Sequence, residues 1–435
     1  MHATGLGEPS PTAQRALSGS DYTTLALAAL GGALEFYDFI IFVFFAAAIG
    51  QLFFPPSIPD WLRQVQTFGV FAAGYLARPL GGIIMAHFGD LLGRKRMFTL
   101  SVLLMALPTL AIGLLPTYGS IGILAPILLL LFRILQGAAV GGEVPGAWVF
   151  VSEHVPARHV GYACGTLTSG LTGGILLGSL VASGINHAFA PAEVHAYGWR
   201  LPFIIGGIFG IVSMFLRRWL HETPVFKELQ QRKSLAEEVP LKAVVRDHRL
   251  SVFVSMMLTW VLSAAIVVVI LMTPSLLQKQ FGIPAAATLS ANSLATLCLS
   301  VGCVIGGTLA GRVGPRITML VGLILLGVSY YWMFMSVRAD ASTLMLCYAI
   351  TGLLVGVIGA IPFVLVHAFP AAVRFTGISF SYNVAYAIFG GLTPVAVSLL
   401  MKSTPMAPVY YVLALCGLGL LTLLWVKPAI DSARS

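Results

Sequence analysis

Long apolar runs alternate with short polar segments along almost the whole chain. Backbone groups inside a bilayer must be hydrogen-bonded within their own segment, so runs near the roughly 20 residues needed to cross one predict helices rather than strands. The pattern therefore predicts an all-α integral membrane fold of twelve transmembrane helices. The runs cover approximately 24–52, 65–87, 97–115, 122–150, 162–187, 202–219, 252–274, 288–311, 318–336, 343–366, 377–400 and 408–426.

The polar segments divide these runs into two sets of six. The longest polar stretch separates the sets and is rich in both acidic and basic residues, which is typical of a partly helical tether. We expect two pseudo-symmetric six-helix bundles, with cytoplasmic segments before, between and after them. The expected divisions are 1–23 for the N-terminal tail, 24–219 for the first bundle, 220–250 for the linker, 251–427 for the second bundle and 428–435 for the C-terminal tail.

Composition supports a membrane location. Only 9% of the residues are charged and 58% are hydrophobic, whereas a soluble domain carries roughly 25% charged residues. The 5 cysteines all fall in apolar runs without the spacing of a metal motif, so we expect reduced packing residues. We predict neither a metal nor another cofactor.

Lysine and arginine are distributed unequally between the loops. With both termini in the cytoplasm, eighteen of the 25 basic residues lie in cytoplasmic segments, five lie outside, and Arg78 and Arg133 lie within runs. Under the positive-inside rule this excess predicts cytoplasmic termini, and it accounts for the net charge of +9. The basic residues form no continuous face, which argues against a nucleic-acid partner.

A charged loop motif occurs twice, once in each half. Residues 89–96 read GDLLGRKR, and a degenerate copy, GTLAGRVGPR, covers 307–316; Gly93 aligns with Gly314 and Lys95 with Arg316, both 221 residues apart. Two halves with one plan are typical of a transporter. Charge pairs beside such loops can hold the cytoplasmic mouth closed, and we predict gating roles for Asp90, Gly93, Arg94, Lys95, Arg312, Gly314 and Arg316.

Two carboxylates lie near the middle of the first run. Glu35 and Asp38 are three residues apart, which places them on one face of a helix. Desolvation and mutual repulsion both favour uptake of a proton there, and intramembrane carboxylates are usually functional. We predict a proton-coupling role, against the alternative of a pair locked by tyrosine hydroxyls that does not titrate.

Arginines within the runs need an anionic partner. Arg78 lies in the second run, while Arg133, Gln136 and Glu143 form a polar stripe on the fourth. The partner is either a protein carboxylate, namely Glu35, Asp38 or Glu143, or a substrate carboxylate that replaces it. A permanent ion pair that fixes packing is the alternative.

Ionisable residues are nearly absent from the runs of the second half. Its eleventh run instead carries a polar and aromatic patch, Tyr382, Asn383 and Tyr386. These side chains either face a central cavity or make ordinary hydrogen bonds between helices. The asymmetry predicts that the first half handles the proton and the second shapes the substrate cavity.

The chain resembles the major facilitator superfamily, and in particular its branch of bacterial metabolite:proton symporters. The matching segments are 34–39 (LEFYDF), the 89–95 loop, Arg133 with Gln136-Gly137 and Gly142-Glu143, 199–203 (WRLPF), 222–226 (ETPVF), and Phe369-Pro370 with Arg374 and 376–379 (TGIS). His367 stands where the branch has glutamate, as either a pH-sensitive group or a solvated loop residue. The resemblance implies gating roles for Glu153 and Arg374 as well. It also implies proton-driven uptake of small carboxylates or zwitterions across the bacterial inner membrane.

We predict a proton-coupled symporter that imports a small organic acid by alternating access. Proton coupling falls to Glu35, Asp38 and Glu143, and substrate binding to Tyr37, Arg78, Arg133, Gln136, Tyr382, Asn383 and Tyr386. A symporter of proline-like or betaine-like zwitterions is the first alternative, and a proton-driven exporter is the second. We expect a monomer. No catalytic cluster or phosphate-binding loop is present in the sequence, which argues against an enzyme or an ATP-driven pump.

Overall fold

The computed structural model describes residues 16–92, 94–141, 143–216, 240–370 and 373–432. For some of these it describes the backbone alone, namely 35, 83–92, 94–102, 213, 216, 240, 243 and 431–432. Every regular element in the described residues is helical. The all-α prediction is confirmed.

Twelve helical rods, labelled α1 to α12, occupy the positions of the predicted runs in the described part of the chain. Several rods consist of consecutive segments. The rods are α1 (Gly19–Phe44 and Ala46–Phe53), α2 (Asp60–Leu92), α3 (Arg94–Leu114), α4 (Leu124–Val140 and Glu143–His154), α5 (Val160–Ala188), α6 (Leu201–Leu216), α7 (Arg249–Ala264, Ala265–Met272 and Thr273–Phe281), α8 (Ala285–Arg312), α9 (Pro315–Ala339), α10 (Leu344–Val355, Gly356–Ala360 and Ile361–His367), α11 (Arg374–Ala385, Tyr386–Gly390 and Gly391–Leu400) and α12 (Ala407–Ser432).

Nine of the rods, counted over the described residues, are long and apolar enough to cross a membrane. The remaining three are α2, which is 33 residues long, and α3 and α6, whose apolar stretches are shorter. The predicted count of twelve is therefore confirmed for nine rods and stays a prediction for α2, α3 and α6.

The first rod begins at a capping box. The Ser18 hydroxyl accepts a hydrogen bond from the backbone N–H of Asp21 at 3.3 Å, and the Asp21 carboxylate accepts one from the Ser18 backbone at 2.8 Å. These bonds satisfy N–H groups that have no partner within the helix. The helix thus begins a few residues before the predicted apolar run.

Prolines interrupt the rods of the second half. Pro274 has no N–H for the carbonyl of Ile270, and the preceding segment of α7, Ala265–Met272, is a π-helix. The Tyr348 hydroxyl approaches the carbonyl oxygens there, at 2.7 Å from Val269 and 3.3 Å from Ile270. In α11, Pro394 likewise follows the π-helical segment Tyr386–Gly390.

The two sets of six rods meet chiefly along two pairs of helices, α5 with α8 and α2 with α11. Near the start of α5 the backbones of α5 and α8 approach each other closely. A Cβ atom added at Gly165 would lie only 2.6 Å from the carbonyl oxygen of Cys303. Residues 217–239, which include 220–239 of the predicted linker, lie outside the described residues. Pro240–Asp247 forms a short helix before α7, and the predicted division into two bundles stays a prediction.

Candidate functional site

Asp38 is buried in the middle of α1 among three helices of the first half. The residue is 1% exposed, and neither carboxylate oxygen has a hydrogen-bond partner in the described residues. A Cβ atom added at Gly206 of α6 would lie 2.5 Å from Asp38 Oδ1 and 2.8 Å from a methyl carbon of Thr109 of α3. An ionised carboxylate in such a place costs several kcal/mol unless a cation approaches it.

The other two predicted proton-coupling residues are less fully described. Glu35 lies on α1, but its side chain is outside what the structure describes, so its pairing with Asp38 stays a prediction. Glu143 begins the second segment of α4 and is half-buried. Its coupling role also stays a prediction.

Arg133 is fully buried in α4 and lies among three phenylalanine rings. Its guanidinium carbon is 4.3, 4.7 and 5.3 Å from the ring centres of Phe39, Phe42 and Phe71. One nitrogen, Nη1, donates to the carbonyl oxygen of Phe39 at 3.0 Å and to Gln136 Oε1 at 2.9 Å. The Nε and Nη2 atoms have no partner in the described residues, and no ion pair joins Arg133 to Asp38 there.

Gln136 connects Arg133 to the surroundings of Asp38. Its amide nitrogen donates to the Thr109 hydroxyl at 2.7 Å, which in turn donates to the carbonyl oxygen of Met105 at 2.8 Å. The Thr109 methyl carbon and Asp38 Oδ1 both border the space beside Gly206. The polar groups of Arg133, Gln136 and Thr109 thus end near Asp38 without a hydrogen bond to its carboxylate in the described residues. The sequence predicted the stripe on α4 but not Thr109, which lies on another helix.

Arg78 lies between the two halves and is surrounded by tyrosines. Its guanidinium carbon is 5.3 Å from the ring centre of Tyr75 on α2, and 5.5 and 5.0 Å from those of Tyr382 and Tyr386 on α11. We call these three rings the tyrosine cage. Arg78 is 1% exposed, and its Nε and Nη2 atoms have no hydrogen-bond partner in the described part of the chain.

The polar and aromatic patch of α11 contacts the first half directly. The Asn383 side-chain amide donates to the carbonyl oxygen of Gly141 in α4, and Tyr382 packs edge-on against Trp148 with ring centres 5.0 Å apart. The Asn383 carbonyl oxygen is buried without a partner in the described residues. Of the residues predicted to bind substrate, Arg78, Tyr382, Asn383 and Tyr386 therefore come together.

Tyr37 takes a different position from this group. Its hydroxyl donates to the carbonyl oxygen of Pro202 in α6 at 2.8 Å, and its ring packs edge-on against Phe209. These contacts hold it inside the first half, beside Asp38. Its predicted role in substrate binding stays a prediction.

One ion pair joins the halves at the end that the sequence predicts to be cytoplasmic, which we call the inner end. Arg374 Nη1 at the start of α11 lies 3.3 Å from Glu153 Oε1 at the end of α4. The two side chains are 23% and 27% exposed. Two predicted gating residues are therefore in contact across the halves.

The other predicted gating residues do not bridge the halves through a described contact. The side chains of Asp90, Arg94 and Lys95 and the whole of Gly93 lie outside what the structure describes. Arg316 Nε donates to the carbonyl oxygen of Leu423 within the second half at 3.1 Å. Arg312 ends α8 and is exposed, and Gly314 has a φ of 103°, which only glycine adopts without strain. His367 Nδ1 lies 2.8 Å from the carbonyl oxygen of Phe363 on its own helix.

At the opposite, predicted outer end the halves meet through side chains. Lys279 Nζ at the end of α7 lies 2.5 Å from Gln64 Oε1 of α2. Lys402, which follows α11, places its ammonium 3.1 Å from the ring centre of Trp61 on α2. The halves are thus in contact at both ends.

A line of hydroxyl groups between α5 and α8 was missed by the sequence analysis. Its pairs are Thr172 with Ser300 at 2.8 Å, Ser179 with Ser293 at 2.9 Å and Ser183 with Ser290 at 3.0 Å. The three residues on α5 share one helix face, and so do the three on α8. Their spacing in the sequence could therefore have predicted a polar face on each helix. The hydroxyl line continues the close glycine contact along the same two helices.

Comparison with known proteins gives one family over most of the chain. The model of the Major Facilitator Superfamily matches residues 28–394. The "Putative proline/betaine transporter" of Staphylococcus aureus (strain MSSA476) is 30% identical over 404 residues, which cover 92% of this chain and 87% of that protein. The "Proline/betaine transporter" of Escherichia coli (strain K12) is 30% identical over 421 residues, or 92% and 82% of the two chains.

A third relative and a solved structure extend the comparison. The "Glycine betaine/proline/ectoine/pipecolic acid transporter OusA" of Dickeya dadantii (strain 3937) is 30% identical over 426 residues, covering 93% of this chain and 82% of that protein. The proton:xylose symporter XylE, solved with 6-bromo-6-deoxy-D-glucose, superposes with a TM-score of 0.74 at 15% identity, covering 94% of this chain and 96% of that one. At this identity the likeness shows the fold alone.

Proposed function

The chain belongs to the major facilitator superfamily, and from that premise we propose that it imports a small zwitterion of the proline or betaine kind together with protons. It is a multi-pass membrane transporter and not an enzyme, as its family and its named relatives show. Substrate, coupling ion and direction are the parts that we propose.

The burial of Asp38 is the observation that carries proton coupling. Its two oxygens have no hydrogen-bond partner in the described residues, so its charge is poorly compensated in this conformation. A group that is costly to ionise when buried, and cheap to ionise when water or a cation reaches it, takes up and releases a proton as the conformation changes. Arg133, reached through Gln136 and Thr109, is the cation that we expect to approach it.

The named relatives support a zwitterion over the organic acid that we expected first. Three relatives, each 30% identical, are named for proline or betaine transport. An arginine binds the carboxylate of either substrate class, so Arg78 and Arg133 alone do not separate an organic anion from a zwitterion. A zwitterion differs from an organic anion by its ammonium group, which must be bound by aromatic faces or hydrogen-bond acceptors near the arginine.

Alternating access is the mechanism that fits contacts at both ends of the rods. The outer end is joined by side-chain contacts of Lys279 and Lys402, and the inner end by the ion pair of Glu153 and Arg374. We propose that one set of contacts opens while the other holds, around a site near Arg78. We further propose a monomer in the bacterial inner membrane with both termini in the cytoplasm.

Uptake by proteoliposomes tests the proposal. The vesicles receive an imposed pH gradient, acidic outside, and labelled glycine betaine, proline, citrate or shikimate. We expect accumulation of glycine betaine and proline that a protonophore abolishes. Accumulation of citrate or shikimate alone would restore the organic-acid hypothesis, and proton-driven movement only out of oriented vesicles would identify an exporter.

A further inference from the structure

The tyrosine cage has the geometry of a cation site, and an arginine of the same chain occupies it. Tyr75 and Tyr386 are stacked with ring centres 5.4 Å apart and an interplanar angle of 20°, and Tyr382 and Tyr386 lie 4.8 Å apart. The Arg78 guanidinium carbon lies within 5.5 Å of all three ring centres. Cations within about 6 Å of aromatic ring centres are attracted by the ring electrons.

The rings do not satisfy the guanidinium fully. Its Nε and Nη2 atoms are buried and have no hydrogen-bond partner in the described residues. Ring faces attract a positive charge but accept hydrogen bonds weakly. A carboxylate is the group that matches these two parallel donors, because it accepts a pair of bonds from an arginine. The site thus contains a cation that the tyrosine rings attract and that the Tyr382 hydroxyl also bonds. Two guanidinium donors, Nε and Nη2, are left without an acceptor in the described residues.

We propose that the tyrosine cage is the subsite for the ammonium group of the substrate, and that Arg78 occupies it only while the carrier is empty. On binding, Arg78 leaves the rings to the substrate ammonium and takes the substrate carboxylate through Nε and Nη2. The inference rests on the proposed zwitterion function and assigns its substrate-binding residues. It adds Tyr75, which sequence analysis did not select, to Tyr382 and Tyr386.

The chemistry of betaines favours this arrangement over a purely hydrogen-bonded site. A quaternary ammonium has no N–H group, so a protein recognises it through aromatic faces. The carboxylate of such a compound is one carbon from the nitrogen, so both subsites must be adjacent. Tyr75 precedes Arg78 by three residues on α2, which places a cage wall and the carboxylate ligand on one helix face. The secondary ammonium of proline fits the same rings.

The position of the cage connects binding to conformational change. Tyr75 and Arg78 belong to the first half, whereas Tyr382 and Tyr386 belong to the second. A ligand in the cage therefore contacts both halves at once. The contact between Tyr382 and Trp148 of α4 joins the cage to a further helix of the first half.

Competition by a neutral isostere tests the cage on the unaltered protein. 3,3-Dimethylbutyrate has the shape and carboxylate of glycine betaine but a carbon in place of the charged nitrogen. Equilibrium binding of labelled glycine betaine is measured on the full chain in detergent with each compound as competitor. We expect unlabelled glycine betaine to displace the label at a concentration at least about tenfold below that of the isostere, since a desolvated cation–π contact is worth a factor of this order.

Variants test the individual ring. Tyr386→Phe keeps the aromatic face and should bind glycine betaine within about threefold of the original chain, whereas Tyr386→Leu should bind at least about tenfold more weakly. Tyr330→Leu is the matched control, because Tyr330 is a buried tyrosine that bonds Thr273 within the second half. It should bind glycine betaine within about twofold of the original chain.

The outcomes separate the cage from the proposed function. Binding of glycine betaine that 3,3-dimethylbutyrate displaces equally well, or that Tyr386→Leu leaves unchanged, would overturn the cage and leave zwitterion transport standing. Failure of the unaltered chain to bind either glycine betaine or proline would overturn both. The isostere comparison needs no substitution, so a misfolded variant does not decide the result.

Discussion

Buried single charges determine most of the chemistry that this protein can perform. Asp38, Arg78 and Arg133 are each almost fully buried in the first half, and none of them forms an ion pair with another in the described residues. Each retains polar atoms without a hydrogen-bond partner. Buried polar atoms without a partner destabilise the folded state. This destabilisation is relieved when a proton, a substrate or a rearrangement supplies the missing partner.

Asp38→Asn should abolish accumulation of substrate against a gradient and spare exchange. The amide has nearly the same shape as the carboxyl group but cannot release a proton, so binding and rocking continue without coupling. Uptake under an imposed pH gradient and counterflow at equal pH measure the two activities. Asp60→Asn is the control, since Asp60 is an exposed carboxylate at the start of α2. Unchanged accumulation by Asp38→Asn would remove this residue from the proton path.

Gln136→Glu should raise the melting temperature and slow transport. Gln136 Oε1 already lies 2.9 Å from Arg133 Nη1, so a carboxylate there provides a permanent ion partner without moving the side chain. An arginine that is held by a fixed partner is less free to approach Asp38 or a substrate carboxylate. Thermal unfolding in detergent and initial uptake rates measure the two effects. Faster uptake together with higher stability would show that Arg133 needs no freedom to move.

Residue type and spacing predicted the buried charges, but the sequence did not predict their neighbours. Glu35 and Asp38 were predictable as a pair on one face because both lie on one helix. The contact of Asp38 with Gly206, and that of Arg78 with Tyr382 and Tyr386, join helices that are far apart in the chain. Such contacts depend on the rotation and crossing of whole helices, which a local pattern does not determine.

The pair α5 and α8 shows how two helices can form a long interface between moving halves. Near the inner end, Gly165 and Gly307 allow the two backbones to approach. Towards the outer end, hydroxyl pairs such as Ser179 with Ser293 replace the glycines. Small residues permit close packing, and hydroxyl groups exchange partners between neighbouring serines at little cost. Both properties suit helices that shift against each other.

Gly165→Ala should separate α5 from α8 and destabilise the protein. The added Cβ atom would lie 2.6 Å from the carbonyl oxygen of Cys303, and a backbone atom cannot move away without its helix. Overpacking of this kind costs about 1–3 kcal/mol. Gly173→Ala on the same helix is the control, because nothing lies within 4 Å of its added Cβ atom. Melting temperature and uptake rate are measured for both, and equal melting temperatures would contradict a tight interface.

The interruptions of the rods were only partly predictable. Pro274 and Pro394 remove N–H groups that Ile270 and Gly390 would otherwise bond, so breaks in α7 and α11 follow from the sequence. The sequence does not show which group bonds the carbonyl oxygens that these prolines leave without a partner. The Tyr348 hydroxyl that approaches the freed carbonyl of Ile270 comes from α10, and only the packing of the helices brings it there.

The whole transporter is joined at both ends, but by contacts of different kinds. At the inner end the backbones of α5 and α8 are in close contact and one ion pair bridges α4 and α11. At the outer end the bridges are the flexible side chains of Lys279 and Lys402 and the hydroxyl pairs of α5 and α8, such as Ser183 with Ser290. Separating two long side chains breaks fewer van der Waals contacts than separating two closely packed backbones. The outer end is therefore the one that we expect to open first in the empty carrier.

Arg374→Gln should shift the protein modestly towards an inward-open state. The pair with Glu153 is partly exposed, and such pairs contribute about 0–1 kcal/mol, which corresponds to a shift of at most about fivefold. Distances between spin labels at the inner ends of α4 and α10 measure the populations.

Two further variants separate bridging from general charge effects in that experiment. Glu153→Arg combined with Arg374→Glu restores an opposite-charge pair and should restore the original distribution. Arg246→Gln is the control, since Arg246 forms an ion pair with its neighbour Asp247 in the same segment. An equal shift in Arg246→Gln and Arg374→Gln would show that the ion pair of Glu153 and Arg374 does not stabilise the closed inner end.

The location of the tyrosine rings on both α2 and α11 also sets a limit on speed. A substrate that is bound by rings of both halves must dissociate from one half before the carrier can release it. A substrate that binds the rings more tightly therefore dissociates more slowly, and each transport cycle takes longer. Among a series of glycines with increasing N-methylation, the compound with the lowest KM should consequently show the lowest maximal velocity.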